Sequence, residues 1–168
     1  CLNEFNEPTC VIVKHNNPCG VASADNIKNA YLKALDSDPI SAFGGVVLLN
    51  RKIDTNLAKL LLNNFYEIVV AKKFNKESLK VLKSKKNLII IDSTNLKEKH
   101  NETHKSVNSG VLYQTFNSYK ITKSEITLVS KKKSSSKTLE DLIFAYKVAK
   151  HVKSNAIVLA NNKQTLGI

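Results

Sequence analysis

Val11-Ile-Val-Lys-His-Asn-Asn-Pro-Cys-Gly20 decides how this chain is read, because a short apolar run stops abruptly in a cation, an imidazole and a turn. Residues 10–13 form a compact β-branched run of the kind that makes a buried strand, and Asn17-Pro18 with Gly20 behind it is a strong breaker. Lys14 and His15 are therefore expected at the carboxyl end of a strand. In open α/β sheets that edge is where ligands bind, since the loops leaving it form a crevice above the sheet.

Outward from this stretch, strands and helices alternate. Asp25 is placed to cap a helix whose apolar residues Ile27, Ala30, Tyr31, Ala34 and Leu35 fall at helical spacing, and the helix must stop before Pro39. A Phe43-Gly44-Gly45 turn leads into Val46-Val-Leu-Leu49, a second central strand. Asp54 or Thr55 starts a helix through Leu57, Leu60, Leu61 and Leu62, followed by a strand at 66–71, a short helix at 76–83 and a strand at 88–91. Residues 92–104 are polar and without period, which predicts a surface excursion, and 107–115 and 126–130 read as strands. Lys131-Lys-Lys-Ser-Ser-Ser-Lys137 reads as a solvated linker. Thr138-Leu-Glu-Asp141 has the form of a capping box, with Asp in place of the usual Glu or Gln. The helix it opens keeps Leu142, Ile143, Ala145, Tyr146, Val148, Ala149 and Val152 on an apolar face, and Ser154-Asn155 breaks it before a strand at 156–160. The pattern is a layered α/β/α domain with a mostly parallel central sheet. Residues 1–130 form its first part, 131–137 the linker, and 138–168 a helix and strand leading onward.

A chain of 168 residues with 42% hydrophobic content can bury a real core. No stretch approaches the ~18–20 uninterrupted apolar residues of a membrane span and nothing at the start resembles a signal peptide, so a soluble cytoplasmic protein is expected. Cys1, Cys10 and Cys19 are odd in number and confined to the first twenty residues, which suits neither a disulfide framework nor a zinc pattern. The net charge of +12 invites a nucleic-acid reading. Against it, Arg51 is the only arginine, although arginine is favoured for bidentate recognition of phosphate and bases, and the lysines are scattered.

Lys14-His-Asn-Asn-Pro-Cys-Gly20 resembles the lysine-histidine signature of the AICAR transformylase domain of the bifunctional purine biosynthesis family. Three further blocks are similar to that family in the same order: Asp38-Pro-Ile-Ser-Ala-Phe-Gly-Gly45, Glu67-Ile-Val-Val-Ala71, and a stretch from Asp141 to Ile157 containing Lys-His-Val-Lys-Ser-Asn155. The likeness is weakest over 92–137. It implies a cytidine-deaminase-like fold that needs no metal. It also implies formyl transfer from 10-formyltetrahydrofolate, as co-substrate, to AICAR in IMP biosynthesis, with IMP cyclohydrolase as the companion activity. Family members work as homodimers. Their cyclohydrolase domain precedes this region and a glycine-rich segment follows it, so the chain is expected to be a piece of the domain that depends on the remainder of its own polypeptide and is inactive alone.

Each candidate site residue has a plain alternative. Lys14 and His15 could simply begin a surface turn, but by the resemblance they are catalytic, His15 as base and Lys14 as partner of the developing oxyanion. Phe43 and Gly44 could be core packing and turn chemistry, whereas the resemblance has them border the nucleotide base. Glu67 lies between apolar neighbours at a strand start, where an unpaired charge would be expensive, so a partner is expected; the matching carboxylate of the family lies in the nucleotide site. Asn155 could merely end a helix, but the matching asparagine orients the formyl group. The resemblance adds Asn17 to the substrate-binding set. His151 and Lys153 read as cations near a helix carboxyl terminus. Pro18-Cys19 matches half of the zinc-deaminase signature without its other parts, so no metal is expected. Three other readings stay open: a nucleotide-binding piece without turnover, an assembly surface, and a basic nucleic-acid-binding domain.

Overall fold

The computed structural model describes residues 1–96 and 102–168. In chain order the elements are β1 (Thr9–Lys14), β2 (Asn17–Ser23), α1 (Ile27–Ser37), β3 (Gly45–Ile53), α2 (Thr55–Leu62), β4 (Tyr66–Phe74), α3 (Lys76–Lys83) and β5 (Ile89–Asp92). Then come β6 (Glu102–Val107), β7 (Gly110–Thr115), α4 (Ser136–Ala149), β8 (Leu159–Asn161) and β9 (Gln164–Gly167). Seven strands form one sheet in the order β5-β4-β3-β1-β2-β9-β8, and β6 with β7 make a separate ribbon whose residues are all exposed. Strands β3, β4 and β5 are parallel to one another, while β1 runs against β3 and antiparallel pairing continues through β2, β9 and β8. Five of the seven strands (β2, β3, β4, β5 and β8) thus share one direction, with β1 and β9 reversed.

Side chains alternate across a strand, and here the alternation sorts two cores. Cys10 and Ile12 of β1, Ala22 of β2 and Val47 and Leu49 of β3 bury one face under Tyr31 and Ala34 of α1, Leu57 and Leu61 of α2 and Leu82 of α3. Their neighbours Val11 and Val21 point to the opposite face, where Phe144 and Val148 of α4 and Phe5 close over them. The result is an α/β/α sandwich, with α4 and the N-terminal residues around Phe5 covering the second face.

Helix boundaries follow local hydrogen bonding. Asp54 accepts the Leu57 N–H at 2.8 Å to start α2, as the sequence predicts. At α1 the cap is Asn26, whose side chain accepts the Asn29 N–H, rather than Asp25. Ser135 caps α4 by accepting the Thr138 N–H at 3.0 Å, so the helix begins before Thr138. Asp141, expected to act within that cap, is instead buried and accepts the N–H groups of Asn162 and Lys163 at 3.0 and 2.8 Å, bracing the β8–β9 turn.

The largest departure concerns residues 17–23. Read as a breaker, they form strand β2, antiparallel to β1. Pro18 is tolerated because it pairs with Val13 where the β1–β2 register shifts, at a bulge rather than in a regular ladder. Gly20 is there because α1 lies against it: a Cβ on Gly20 would stand 2.0 Å from the Ala34 carbonyl oxygen. Elsewhere, residues 107–115 hold the end of β6, a two-residue turn and β7 instead of one strand, 126–130 form no strand, and the last expected strand begins only at Leu159. Of the surface excursion expected at 92–104, residue 92 closes β5 and 102–104 open β6, while 97–101 lie outside the described residues.

Candidate active site

Strands β1 and β2 are joined by His15 and Asn16 alone, with φ of 52° and 59°, both in the left-handed region. Two such residues in succession match the sense of strand twist that a two-residue hairpin needs, and asparagine adopts the conformation more readily than most residues. The hairpin puts Lys14 and an exposed His15 at the end of the sheet, but the edge differs from the expected one. Because β1 runs against β3, the carboxyl end of β1 lies at the amino ends of the parallel strands β3 and β4.

There Lys14 meets the second sequence block. Its ammonium donates to the Gly44 carbonyl at 2.7 Å, which leaves two further N–H groups. Gly44 has φ +65° and its N–H donates to the Phe65 carbonyl at 2.8 Å, so the loop before β3 is stitched to the residue before β4. A Cβ on Gly44 would lie 2.8 Å from Lys14 Nζ, 3.5 Å from Phe65 Cε1 and 3.7 Å from Glu67 Oε1. One bare glycine face is therefore ringed by an ammonium, an aromatic edge and a carboxylate. Phe43 does not pack into the core: it is 67% exposed and tilts against Phe65 with ring centroids 5.1 Å apart. Glu67 is exposed and forms no ion pair among the described residues, so water solvates it and the expected partner is not required. Between Phe65 and Glu67, Tyr66 turns inward and its hydroxyl meets that of Tyr31 at 3.1 Å, fixing the start of β4. Burial pushes both phenols above their ordinary range, so they stay neutral.

On the other flank, the hairpin is gripped by the segment that follows α4. The Lys153 N–H donates to Asn17 Oδ1 at 3.0 Å, and the Lys153 ammonium donates to the His15 carbonyl at 2.8 Å. Lys153 is thus more than a cation favoured by a helix dipole; helix α4 already ends at Ala149. Asn155 follows two residues later, exposed and well beyond the helix terminus it was expected to mark. An open cleft of about 380 Å³ adjoins the hairpin on the side of α1, lined by Lys14, His15, Asn17, Cys19, Asp38 and Ser41 among others. Burial pushes the Cys19 thiol up to about 11 and its Sγ faces the Ile12 carbonyl at 3.5 Å, which leaves it a poor nucleophile. Hydrogen bonds from Ser41 hold the Asp38 carboxyl below its usual range, so it enters the cleft as an anion. Among the described residues no group of three His, Cys, Asp or Glu side chains could hold a metal ion.

Two contributors are not assigned to the site by the sequence. Phe65 carries no pattern of its own, although it stands two residues before Glu67 on the same outward-facing side of the chain. Lys153 was hidden among the other cations of Lys150-His-Val-Lys153.

A model of the AICARFT/IMPCHase bienzyme family matches residues 1–168. Curated relatives named bifunctional purine biosynthesis protein PurH include one from Caldicellulosiruptor bescii, 53% identical, and one from Thermoanaerobacter sp. strain X514, 51% identical. Each alignment covers 99% of this chain and 33% of the relative, so the chain spans about a third of the length of the curated proteins it matches. Among solved structures, Acinetobacter baumannii RibD form 1 aligns with a TM-score of 0.42 at 16% identity, over 50% of this chain and 28% of that one. With the match running from the first residue to the last, the chain belongs to the AICARFT/IMPCHase bienzyme family.

Proposed function

We propose that this chain carries the lysine-histidine part of a formyl-transfer site, at which the amine of AICAR takes a formyl group from 10-formyltetrahydrofolate. The observation that carries the reading is convergence. Four sequence blocks far apart in the chain meet at one place: Lys14 on Gly44, Gly44 beside Glu67, and Lys153 on the hairpin turn. Convergence of polar groups from several elements is the usual anatomy of an enzyme site.

In the proposed chemistry the amine nitrogen attacks the formyl carbon, the carbonyl π electrons move onto oxygen, and the tetrahedral adduct collapses with cleavage of the bond to the folate nitrogen. The attacking nitrogen loses a proton and the folate nitrogen gains one. His15, exposed at the tip of a rigid turn, is the base that accepts the first proton, a contribution of roughly 10²–10⁴ in rate. Lys14, anchored on the Gly44 carbonyl, offers its remaining N–H groups to the oxyanion without having to reorganise. Phe43 and the bare face of Gly44 receive the nucleotide base, Glu67 accepts hydrogen bonds from the nucleotide, and Asn17 and Asn155 complete the substrate contacts. A homodimer and a cytoplasmic location go with this reading. No helix among the described residues is long and apolar enough to cross a membrane.

The test is single-turnover formylation by the full-length polypeptide carrying Lys14→Ala, assayed with AICAR and 10-formyltetrahydrofolate. The rate is expected to fall at least 10²-fold, as for loss of one oxyanion donor. A rate within a few-fold of the parent removes Lys14 from the chemistry.

A further inference from the structure

We infer that Lys153 is a positioning residue for His15, clamping the hairpin turn from outside and tying it to the strand of chain that carries Asn155; the inference rests on the formyl-transfer reading above. Two bonds from one residue bracket the turn. The Lys153 ammonium sits on the His15 carbonyl at 2.8 Å, and its backbone N–H sits on Asn17 Oδ1 at 3.0 Å. The two bonds hold the ends of the turn whose residues His15 and Asn16 both have positive φ, a conformation that side-chain-bearing residues hold at a cost unless the surroundings fix it. The Lys153 side chain forms no ion pair among the described residues, so charge pairing does not explain where it points.

The clamp has a firm base. Just upstream, Lys150 and His151 both bond Glu4 Oε1, at 2.7 and 3.0 Å, and Lys150 also donates to the Tyr119 carbonyl at 2.8 Å. The His151 and Val152 N–H groups close the end of α4 on the Val148 and Ala149 carbonyls. Lys153 therefore leaves a stapled helix end and reaches the catalytic turn with little freedom. A general base must stay within hydrogen-bond reach of the proton it takes, and a shift of about an ångström is enough to cost ~10²-fold in rate. Asn17 acquires a second duty on this account: its carboxamide oxygen is the acceptor that holds the clamp.

The experiment is a double-mutant cycle in the full-length polypeptide, reading single-turnover formylation and the KM for AICAR. Lys153→Met keeps the stem and removes the donor; it should lower kcat at least tenfold with KM within about threefold, and Lys153→Arg should recover most of the loss. In a His15→Ala background the same substitution should change the rate less than twofold, because Lys153 acts through His15. Should Lys153→Met fail to fold, Lys153→Gln takes its place in the cycle. Lys153→Met at parental kcat while His15→Ala is crippled overturns the inference alone, as does an equal loss in both backgrounds. A His15→Ala protein at parental rate overturns the formyl-transfer role of His15 and this inference with it.

Discussion

Replacing Gly44 by alanine separates the site from the fold. Gly44 has φ +65°, a conformation that costs a residue with a Cβ about 1–2 kcal/mol. The new methyl would stand 2.8 Å from Lys14 Nζ, too close for a carbon, but that atom is the far end of a flexible side chain and can move. The next atoms, on Phe65 and Glu67 at 3.5 and 3.7 Å, are at ordinary contact distance. Stability should therefore fall only by the backbone cost, about 1–2 kcal/mol, or roughly 2–8 °C in melting temperature for a domain of this size. Activity should fall much further. Moving the ammonium breaks its 2.7 Å bond to the Gly44 carbonyl and displaces the cation from the oxyanion we propose it stabilises, which predicts a loss on the order of 10² in kcat. Thermal melting and steady-state formylation of the full-length Gly44→Ala protein provide both numbers. A kcat within threefold of the parent would refute the assignment of Lys14 and Gly44 to one functional unit.

Gly20→Ala should show the opposite balance: its Cβ would meet the Ala34 carbonyl oxygen at 2.0 Å, a backbone atom that yields only if α1 shifts, so a loss of about 3 kcal/mol or more is expected. A melting temperature within 2 °C of the parent would contradict the close packing of α1 on β2. Acid should loosen the Glu4–Lys150–His151 staple. Burial alone would raise Glu4, but hydrogen bonds from Lys150 and His151 outweigh it and hold the carboxyl below 4.5. Burial depresses His151 below 6.5 despite its bond to Glu4. Both groups bind protons more weakly folded than unfolded, so the stability they contribute is complete above about pH 6.5 and is lost as pH falls, through His151 first and Glu4 below 4.5. Melting temperatures between pH 7.5 and 4 should decline accordingly, and Glu4→Gln should flatten the lower part of the curve; a pH-independent profile in the parent would contradict the staple.

Much of the fold was legible where local chemistry and global packing agree. Helix α3 occupies residues 76–83 as its spacing requires, and α2 starts at the Asp54 cap. Strand β2 was not legible, because Pro18 and Gly20 normally end a strand; only the bulge opposite Val13 and the backbone of α1 beside Gly20 make them fit. The same blindness moved the site to the other edge of the sheet, since the reversal of β1 depends on a two-residue turn at His15-Asn16 that lacks the usual glycine. At the site, the chemistry-bearing residues Lys14, Gly44 and Glu67 were named from their blocks, but their meeting on one glycine face was not. Lys153 was passed over because a lysine near a helix end already has a sufficient local explanation, whereas its contact with His15 spans 138 positions.

The most direct measurement of the central claim is the single-turnover rate of formyl transfer by the full-length His15→Ala protein at saturating AICAR and 10-formyltetrahydrofolate, with AICAR affinity measured alongside. A base acts on the proton in flight more than on the bound ground state. The account predicts a rate at least ~10²-fold below the parent with AICAR affinity kept within about tenfold. A rate within a few-fold of the parent would return His15 to the role of a turn residue and contradict the account.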